Sequence, residues 1–434
     1  MIHSTLNTQH STLNTQHLKF YFKKFFLFLL LFSFSLLIPL TVQAQAQNQS
    51  FFTFGNNVFN QGSWFELGGE MEAEMVATQK DTKNSFNSTT ASPPVTAGDG
   101  VYTTTSGSTR FRFDKIMLKP KIFYPTKEEN KFFVQGEFDF MALGLNGSSS
   151  DSAFAKELFF NFNLSQHFFL KVGLDDRFFA PLGDPDNRGT EIYPLNGTSF
   201  WRDEDWQIQL GADFSHLYFR TALSNGLTLN DMPVGKDSTY QIIHDDRSTD
   251  DLGDSTKEIA AGIGLKGGGK LKFDLLGFGS YSKLSADEAQ FLQDVFSGTQ
   301  PRDNGLLGAN FNVAFPIRKH DFNLFVQELY SKDGNMKRNG VYVQPSFTFK
   351  RDTKESLSAF EFLYRWNWLK VEPSSTVDDI TNRPMSWDRV THTLALNIDI
   401  FKGLTLRNEA HLNRENKVSE VKNNEVLSQL EFRF

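Results

Sequence analysis

The feature that most constrains this chain is a two-residue alternation of apolar and polar side chains, which recurs along most of its 434 residues. It is clear in the last nine residues, where one face of an extended strand is apolar except for Ser428. That apolar face consists of Val426, Leu430, Phe432 and Phe434. Because successive side chains of a strand point to opposite sides, such segments predict sheets with one apolar and one polar surface.

The same alternation predicts 16 strands between residues 64 and 434, with connections of alternating length. Ser215-His216 and Lys402-Gly403 are tight turns. The segments that read as longer loops include 78–108, 176–203, 225–256, 283–303 and 332–340. An even number of antiparallel strands, with short turns at one end and longer loops at the other, is typical of a transmembrane β-barrel. We therefore predict an all-β fold, a transmembrane antiparallel barrel of about 16 strands with short periplasmic turns and long outer loops.

Composition favours a barrel over a helical membrane protein. The mean hydropathy is −0.38, which excludes a bundle of apolar helices after the leader. Phenylalanine is unusually abundant, at 46 residues, and transmembrane barrels place aromatic residues at the lipid boundary. The chain has no cysteine, which excludes disulfides and thiolate metal sites. Its net charge of −7 argues against nucleic acid as a partner.

Residues 1–44 are predicted to be a signal peptide. Lys23 and Lys24 precede an almost purely apolar run, Phe25 to Leu40, and Val42-Gln43-Ala44 supplies small residues at the expected cleavage site. A membrane anchor is the alternative, but the run is shorter than the roughly 20 residues that a spanning helix needs. The heptapeptide STLNTQH occurs twice upstream, which we interpret as a misassigned start. Residues 45–63 are then a periplasmic lead-in to the barrel at 64–434.

The closing strand resembles the last strand of bacterial outer-membrane β-barrels, which ends on an aromatic residue. This resemblance implies an assembly signal at Phe434 and Phe432 that the barrel assembly machinery recognises. It also implies that the chain lies in the outer membrane of a Gram-negative bacterium, in contact with outer-membrane lipid.

The predicted strand number implies a channel. In a closed barrel of this kind the apolar face meets lipid and the polar face lines the interior. About 16 strands leave an aqueous channel, whereas eight strands enclose a space that side chains fill. Small hydrophilic solutes are therefore the expected cargo.

Two segments resemble the O and P family of phosphate-selective porins. The first is FFLKVGLDDRFFAPLG at 168–183, which resembles the family's segment in which a basic-x-Val-Gly strand runs into an aromatic-Pro-Phe/Leu-Gly loop. The second, at 201–226, contains DEDWQIQLGADF and TALSNG. The resemblance implies a homotrimer of 16-stranded barrels whose third outer loop, Asp176 to Asp203, folds into the channel. This interior mixes acids and bases, whereas the phosphate-binding members line their channels mainly with bases.

Charged side chains that line such a channel set its selectivity. The candidates for the constriction and for selectivity are Arg177, Arg188, Arg202, Lys115, Lys119, Lys121, Lys171 and Arg220. For each of them the alternative is an interior ion pair that bridges strands. The first three are assigned to the constriction because their loop carries many aromatic and apolar residues, which need a wall to pack against.

The sequence thus predicts an outer-membrane porin for passive diffusion of small hydrophilic solutes, with an anion or phosphate preference as a further expectation. The alternatives are a channel specific for another solute and an outer-membrane barrel enzyme. Enzymatic activity is not expected, because His392 lies on an apolar face, His411 lies inside beside Glu409, and neither belongs to a nucleophile motif. No cofactor or metal is predicted, because nucleotide, zinc and calcium-loop patterns are missing.

Overall fold

In the computed structural model, the described residues are 59–60, 64–78, 109–139, 154–179, 204–234, 239–246, 257–296, 298–351, 357–372, 388–416 and 424–434. All of them belong to one compact unit, Ser50–Phe434. The predicted leader at 1–44, most of the lead-in, and most of the loops predicted at 78–108 and 176–203 lie outside them.

The described residues form 19 strands and one helix. The strands are β1 (Phe59–Asn60), β2 (Phe65–Thr78), β3 (Thr109–Tyr124), β4 (Phe132–Asp139), β5 (Phe154–Asn163), β6 (Phe168–Asp176), β7 (Glu204–Asp213), β8 (Leu217–Ser224), β9 (Leu227–Val234), β10 (Thr239–Asp246), β11 (Glu258–Gly267), β12 (Lys272–Lys283), β13 (Asp303–Ile317), β14 (His320–Asp333), β15 (Met336–Lys350), β16 (Ala359–Glu372), β17 (Asp388–Phe401), β18 (Leu404–Asn416) and β19 (Glu425–Arg433). The helix, α1 (Ala286–Phe296), lies between β12 and β13. Within the described ranges, no helix is long and apolar enough to cross a bilayer.

Sixteen of these strands, β2–β8 and β11–β19, form a closed antiparallel barrel, which confirms the predicted fold. Consecutive strands pair with each other, β8 pairs with β11, and β19 pairs with β2 to complete the ring. Closure removes the unpaired edges that an open sheet presents. β1 pairs with β2 from within the predicted lead-in, and β9 and β10 form a separate hairpin.

Two segments that read as loops contain regular structure. The segment 225–256 includes the β9–β10 hairpin, and the segment 283–303 includes α1. Both are polar in composition, which is why the alternation alone predicts loops there. The helix begins with Ser285 and Glu288 in the spacing of a capping box, a signal that the strand pattern does not reveal.

The connection predicted at 332–340 is a two-residue turn, Gly334-Asn335, because β14 and β15 both extend to it. Gly334 has a φ of 60°, in the left-handed region that glycine adopts without steric cost. The polar residues of this segment suggest a loop, but Arg338 and Asp333 face inward and form an ion pair of 2.6 Å. Polar residues of the inner wall were therefore mistaken for loop residues.

The two faces of the barrel wall have opposite polarity. On the outer face large apolar side chains are exposed, such as Phe362 at 57%, whereas on the inner face Gln429 and Glu431 are almost completely buried. This pattern suits lipid outside and a polar interior. Trp366 and Leu396 share the outer face with Phe362, as the alternation of apolar and polar residues in β16 and β17 predicts.

The seam between β19 and β2 closes on Phe434. Its backbone exchanges two hydrogen bonds with Gly69: the Gly69 N–H donates to the Phe434 carbonyl at 3.0 Å, and the Phe434 N–H donates to the Gly69 carbonyl at 3.1 Å. The Phe434 ring covers Gly69 so closely that a Cβ at Gly69 would overlap it, and it also contacts the Phe432 ring, with centroids 5.9 Å apart. Phe434 therefore completes the backbone pairing of the seam and covers its glycine.

Replacing Phe434 with alanine is expected to lower the folded fraction of the protein, because Gly69 loses its aromatic cover at the seam; deleting Phe434 also removes both backbone hydrogen bonds and is expected to have the larger effect. Heat-modifiable migration on a gel reports the folded fraction. The matched control is Phe401→Ala, which removes an exposed phenylalanine from β17, away from the seam. Equal folded fractions for Phe434→Ala, the deletion and the control would contradict this account of the seam.

Candidate channel interior

A chain of ion pairs crosses the inner wall from β18 to β4. Its members, which we call the interior charge network, are Arg407, Glu431, Arg433, Glu70, Lys119 and Glu137. Arg407 Nη2 lies 2.6 Å from Glu431 Oε2, and Lys119 Nζ lies 2.8 Å from Glu137 Oε2. Arg433 contacts Glu431, and Glu70 links Arg433 to Lys119 at 3.7 Å on each side. The network therefore spans the seam that joins the first and last barrel strands.

Three buried carboxylates of this region, Glu70, Glu72 and Glu431, place oxygen atoms within 4.8 Å of one another. Basic and amide groups already surround them. Glu431 is bound by Arg407 and by Arg433, and the side-chain amide of Gln429 donates to Glu72 at 2.9 Å. We interpret the cluster as part of the ion-pair network, because its carboxylates already contact basic and amide groups.

Two predicted selectivity lysines lie on inward-facing phenylalanine rings near the short-turn end. Lys121 Nζ is 4.0 Å from the Phe133 centroid and 5.1 Å from the Phe123 centroid. Lys171 Nζ is 4.3 Å from the Phe159 centroid and 2.7 Å from Asp175 Oδ2. Among the side chains that the structure describes, Lys121 forms no direct ion pair, because Glu66, which lies opposite it on β2, pairs with Lys127. Its charge is therefore less compensated than those of Lys119 and Lys171, which each contact a carboxylate directly.

Arg177 is buried between two acids at the end of β6. Its guanidinium contacts Glu258 on β11 and lies 2.5 Å from Asp205 Oδ2 on β7, with only 3% of the side chain exposed. Gly226 N–H also donates to Asp205 Oδ2 at 3.0 Å. This geometry favours the interpretation of Arg177 as an ion pair that bridges strands.

Arg220 has a similar environment lower on the wall. Its guanidinium binds both carboxylate oxygens of Asp213, at 2.9 and 3.1 Å, and stacks on Phe169 and Tyr218 with both centroids 4.9 Å away. Lys266, which the sequence did not single out, reaches the same Asp213 at 3.3 Å. Asp274 belongs to the same group, since it accepts a hydrogen bond of 2.5 Å from the Tyr218 hydroxyl, so two carboxylates face the two bases here.

For the remaining basic candidates, Lys115, Arg188 and Arg202, no side-chain contacts are described. Lys115 lies on β3, opposite Glu72 in the strand register. Arg188 and Arg202 lie outside the described residues. The Arg338–Asp333 pair is fully buried in the wall and was missed, because its segment reads as a loop.

Part of the interior is apolar. Phe179 lies three residues after β6, in the segment 176–203 that the sequence predicts to pack against the interior wall. It is 1% exposed and stacks on the inward-facing Phe278 of β12 with centroids 4.9 Å apart. Leu292 of α1 and the inward-facing Leu306 and Leu329 belong to the same cluster of buried residues, which we call the inner apolar cluster. A hint is present in the sequence, since the run L-L-G-F at 275–278 places apolar residues on both faces of β12.

The interior histidine lies in a buried chain of polar groups. Thr393 Oγ1 is 3.0 Å from His411 Nδ1, and His411 Nε2 is 3.1 Å from Glu409 Oε2. The order of groups is that of a nucleophile, a base and an orienting acid. Thr393 and His411 are both 0% exposed, however, so no substrate reaches the hydroxyl in this structure. His392 lies on the outer face and contacts the Tyr364 hydroxyl at 2.8 Å.

No protein-family model and no curated protein matches the chain. The resemblance to the O and P family therefore stays a prediction.

Solved structures of outer-membrane channels share its fold. The channel DcaP of Acinetobacter baumannii aligns with a TM-score of 0.55 and 14% identity, covering 87% of this chain and 99% of that one. The high-pH structure of Pseudomonas putida OprB gives 0.55 and 8%, covering 86% and 94%. The anion-selective porin of Comamonas acidovorans gives 0.51 and 8%, covering 86% and 99%. The protein thus has the fold of bacterial outer-membrane porins and channels.

Proposed function

We propose that the protein is a porin of the Gram-negative outer membrane that passes small hydrophilic solutes by passive diffusion, without chemical turnover. The observation that carries this proposal is the charged and polar inner wall of a closed 16-stranded barrel whose outer face is apolar. A barrel of this size is wide enough for an aqueous channel. The interior charge network supplies hydrophilic groups along that wall.

Assembly and partners are part of the same proposal. The apolar outer face suits outer-membrane lipid, and the Phe434 seam suits recognition of the closing strand by the barrel assembly machinery. A homotrimer follows from the resemblance to the O and P family.

Liposome swelling tests the proposal. Protein folded into liposomes is exposed to uncharged sugars of increasing size, and we expect swelling rates that fall steadily from a pentose to a tetrasaccharide. Liposomes with heat-denatured protein are the control. Folded protein that admits not even the pentose would contradict passive diffusion.

An anion preference is the finer part of the proposal, and Lys121 supports it most directly. Because Lys121 forms no direct ion pair among the described residues, its ammonium is more available to a passing anion than those of Lys119 and Lys171, which each contact a carboxylate. Replacing Lys121 with glutamine is expected to shift the reversal potential in a salt gradient toward cations. The control is Lys270→Gln, the same charge change at an exposed turn. Equal reversal potentials for the two variants would remove Lys121 from the selectivity determinants.

A further inference from the structure

We infer that α1 lies against the inner wall at the long-loop mouth and sets the largest solute that passes. This inference rests on the proposed channel function and names the element that limits the size of the solutes. The sequence resemblance assigns the constriction to the loop 176–203, whereas α1 belongs to the connection between β12 and β13.

The contacts of α1 place it on the inner side of the barrel. Leu292 is 0% exposed and belongs to the inner apolar cluster with Leu306 of β13 and Leu329 of β14. Those two residues face inward, because outward neighbours such as Leu307 and Tyr330 are exposed. Leu292 also reaches the β14–β15 turn, where a Cβ at Gly334 would lie 3.2 Å from it. A helix outside the barrel would not bury its leucine against inward-facing residues.

The carboxylate of Glu288 stabilises the start of the helix in three ways: it caps the helix, it binds β9, and it places a negative charge in the first turn. Glu288 Oε2 accepts the Ser285 N–H at 2.6 Å, and Ser285 Oγ accepts the Glu288 N–H at 3.0 Å, which is a capping box. Glu288 Oε1 also accepts the Leu229 N–H of β9 at 2.8 Å, and Glu288 is 4% exposed. A negative charge in the first turn of a helix is favourable. The helix is therefore fixed to the β9–β10 hairpin.

The connection that carries α1 is closed at its base. The backbones of Leu284 and Arg302 are joined by a hydrogen bond of 2.7 Å, and Arg302 Nε donates to the Leu284 carbonyl at 2.7 Å. Gln300 Oε1 accepts the Asn335 N–H of the β14–β15 turn at 3.1 Å. These bonds hold α1 in one place over the wall, as a fixed constriction requires.

The opposite side of α1 is polar and exposed, with Asp287, Gln290 and Gln293 spaced three residues apart. Such a face suits contact with water and with hydrogen-bonding solutes. Phe179 belongs to the inner apolar cluster together with Leu292 of α1, and its carbonyl accepts a hydrogen bond of 3.1 Å from Asn310 of β13. The interior charge network lies on other strands, β18, β19 and β2–β4. The open path therefore runs between α1 and the charged wall.

The test compares folded variants by single-channel conductance and by the largest sugar admitted in liposome swelling. In one variant a Gly-Ser segment of equal length replaces 286–296, and in another Leu292→Asp removes the apolar anchor. Both are expected to raise conductance and to admit larger sugars. Leu271→Asp, at an exposed turn, is the matched control and is expected to behave as the wild type. If the wild type conducts and both variants fold but keep its conductance and its largest admitted sugar, the inference is overturned. If the folded wild type does not conduct, the proposed function itself is overturned.

A second measurement applies if those variants do not fold. The native chain has no cysteine, so a single cysteine introduced by Gln293→Cys is the only thiol. Modification with a methanethiosulfonate reagent is expected to lower conductance, because the added group lies beside the path. Modification after Gly268→Cys, at an exposed short turn, is expected to have no effect. Unchanged conductance after complete modification at position 293 overturns the inference.

Discussion

Replacing Arg177 with methionine is expected to destabilise the barrel by about 3–5 kcal/mol, the range for breaking a buried ion pair from one side. Asp205 and Glu258 would lose the guanidinium that lies between them, and all three side chains are almost completely buried. Two like charges would then face each other in a region that water reaches poorly, so the cost exceeds that of a surface pair. Urea unfolding of the protein in lipid vesicles measures the change in the free energy of unfolding.

A triple variant distinguishes the loss of the Arg177 charge from the loss of its packing. In the triple variant Arg177→Met, Asp205→Asn, Glu258→Gln the same arginine is absent but no carboxylate is left uncompensated. We expect it to recover much of the lost stability, since removing both partners of a buried pair is often nearly neutral. A stable single variant would show that the Arg177 interaction contributes little. A triple variant as unstable as the single one would show that the arginine acts through packing.

Leu396→Arg is expected to impair assembly, because an arginine on the lipid face costs roughly 2–4 kcal/mol near the bilayer midplane and about 0–1 kcal/mol near its edges. Leu396 lies on the outer face of β17, opposite Phe362 of β16. The next residue, Asn397, faces inward and donates to Glu361 Oε2 at 2.9 Å. Asn397→Arg places the same charge beside that acid, and we expect near-normal folding.

Heat-modifiable migration compares the two arginine variants. A lower folded fraction for Leu396→Arg than for Asn397→Arg supports the register. Equal folded fractions would mean that the strand is shifted by one residue, since such a shift exchanges the two faces.

The barrel could be predicted because apolar and polar residues alternate along most of its strands. Positions such as Phe362 and Gln429 alternate with residues of opposite polarity, and lipid on one side and water on the other enforce that alternation over 16 strands. The same period indicates where the strands lie, except at 332–340, where β14 and β15 extend into a predicted loop. Local pattern suffices here because each strand meets the same two environments.

The interior could not be predicted to the same depth. Arg177 follows β6 directly, whereas Asp205 and Glu258 lie on β7 and β11, and only the closed ring brings the three together. The hairpin and α1 are docked by tertiary contacts, such as the Leu229 N–H on Glu288, that no alternation encodes. Which of the predicted basic residues pair directly with a carboxylate is likewise a property of the folded wall, as the difference between Lys119 and Lys121 illustrates.

Conduction by this barrel can be measured directly in a planar lipid bilayer. Purified protein, with its folded state established by heat-modifiable migration, is added to one side of the bilayer at fixed voltage in potassium chloride. We expect stepwise increases of current of uniform size, which grow with salt concentration as in a water-filled channel. Folded protein that inserts into the bilayer and gives no current steps would contradict the proposed channel function.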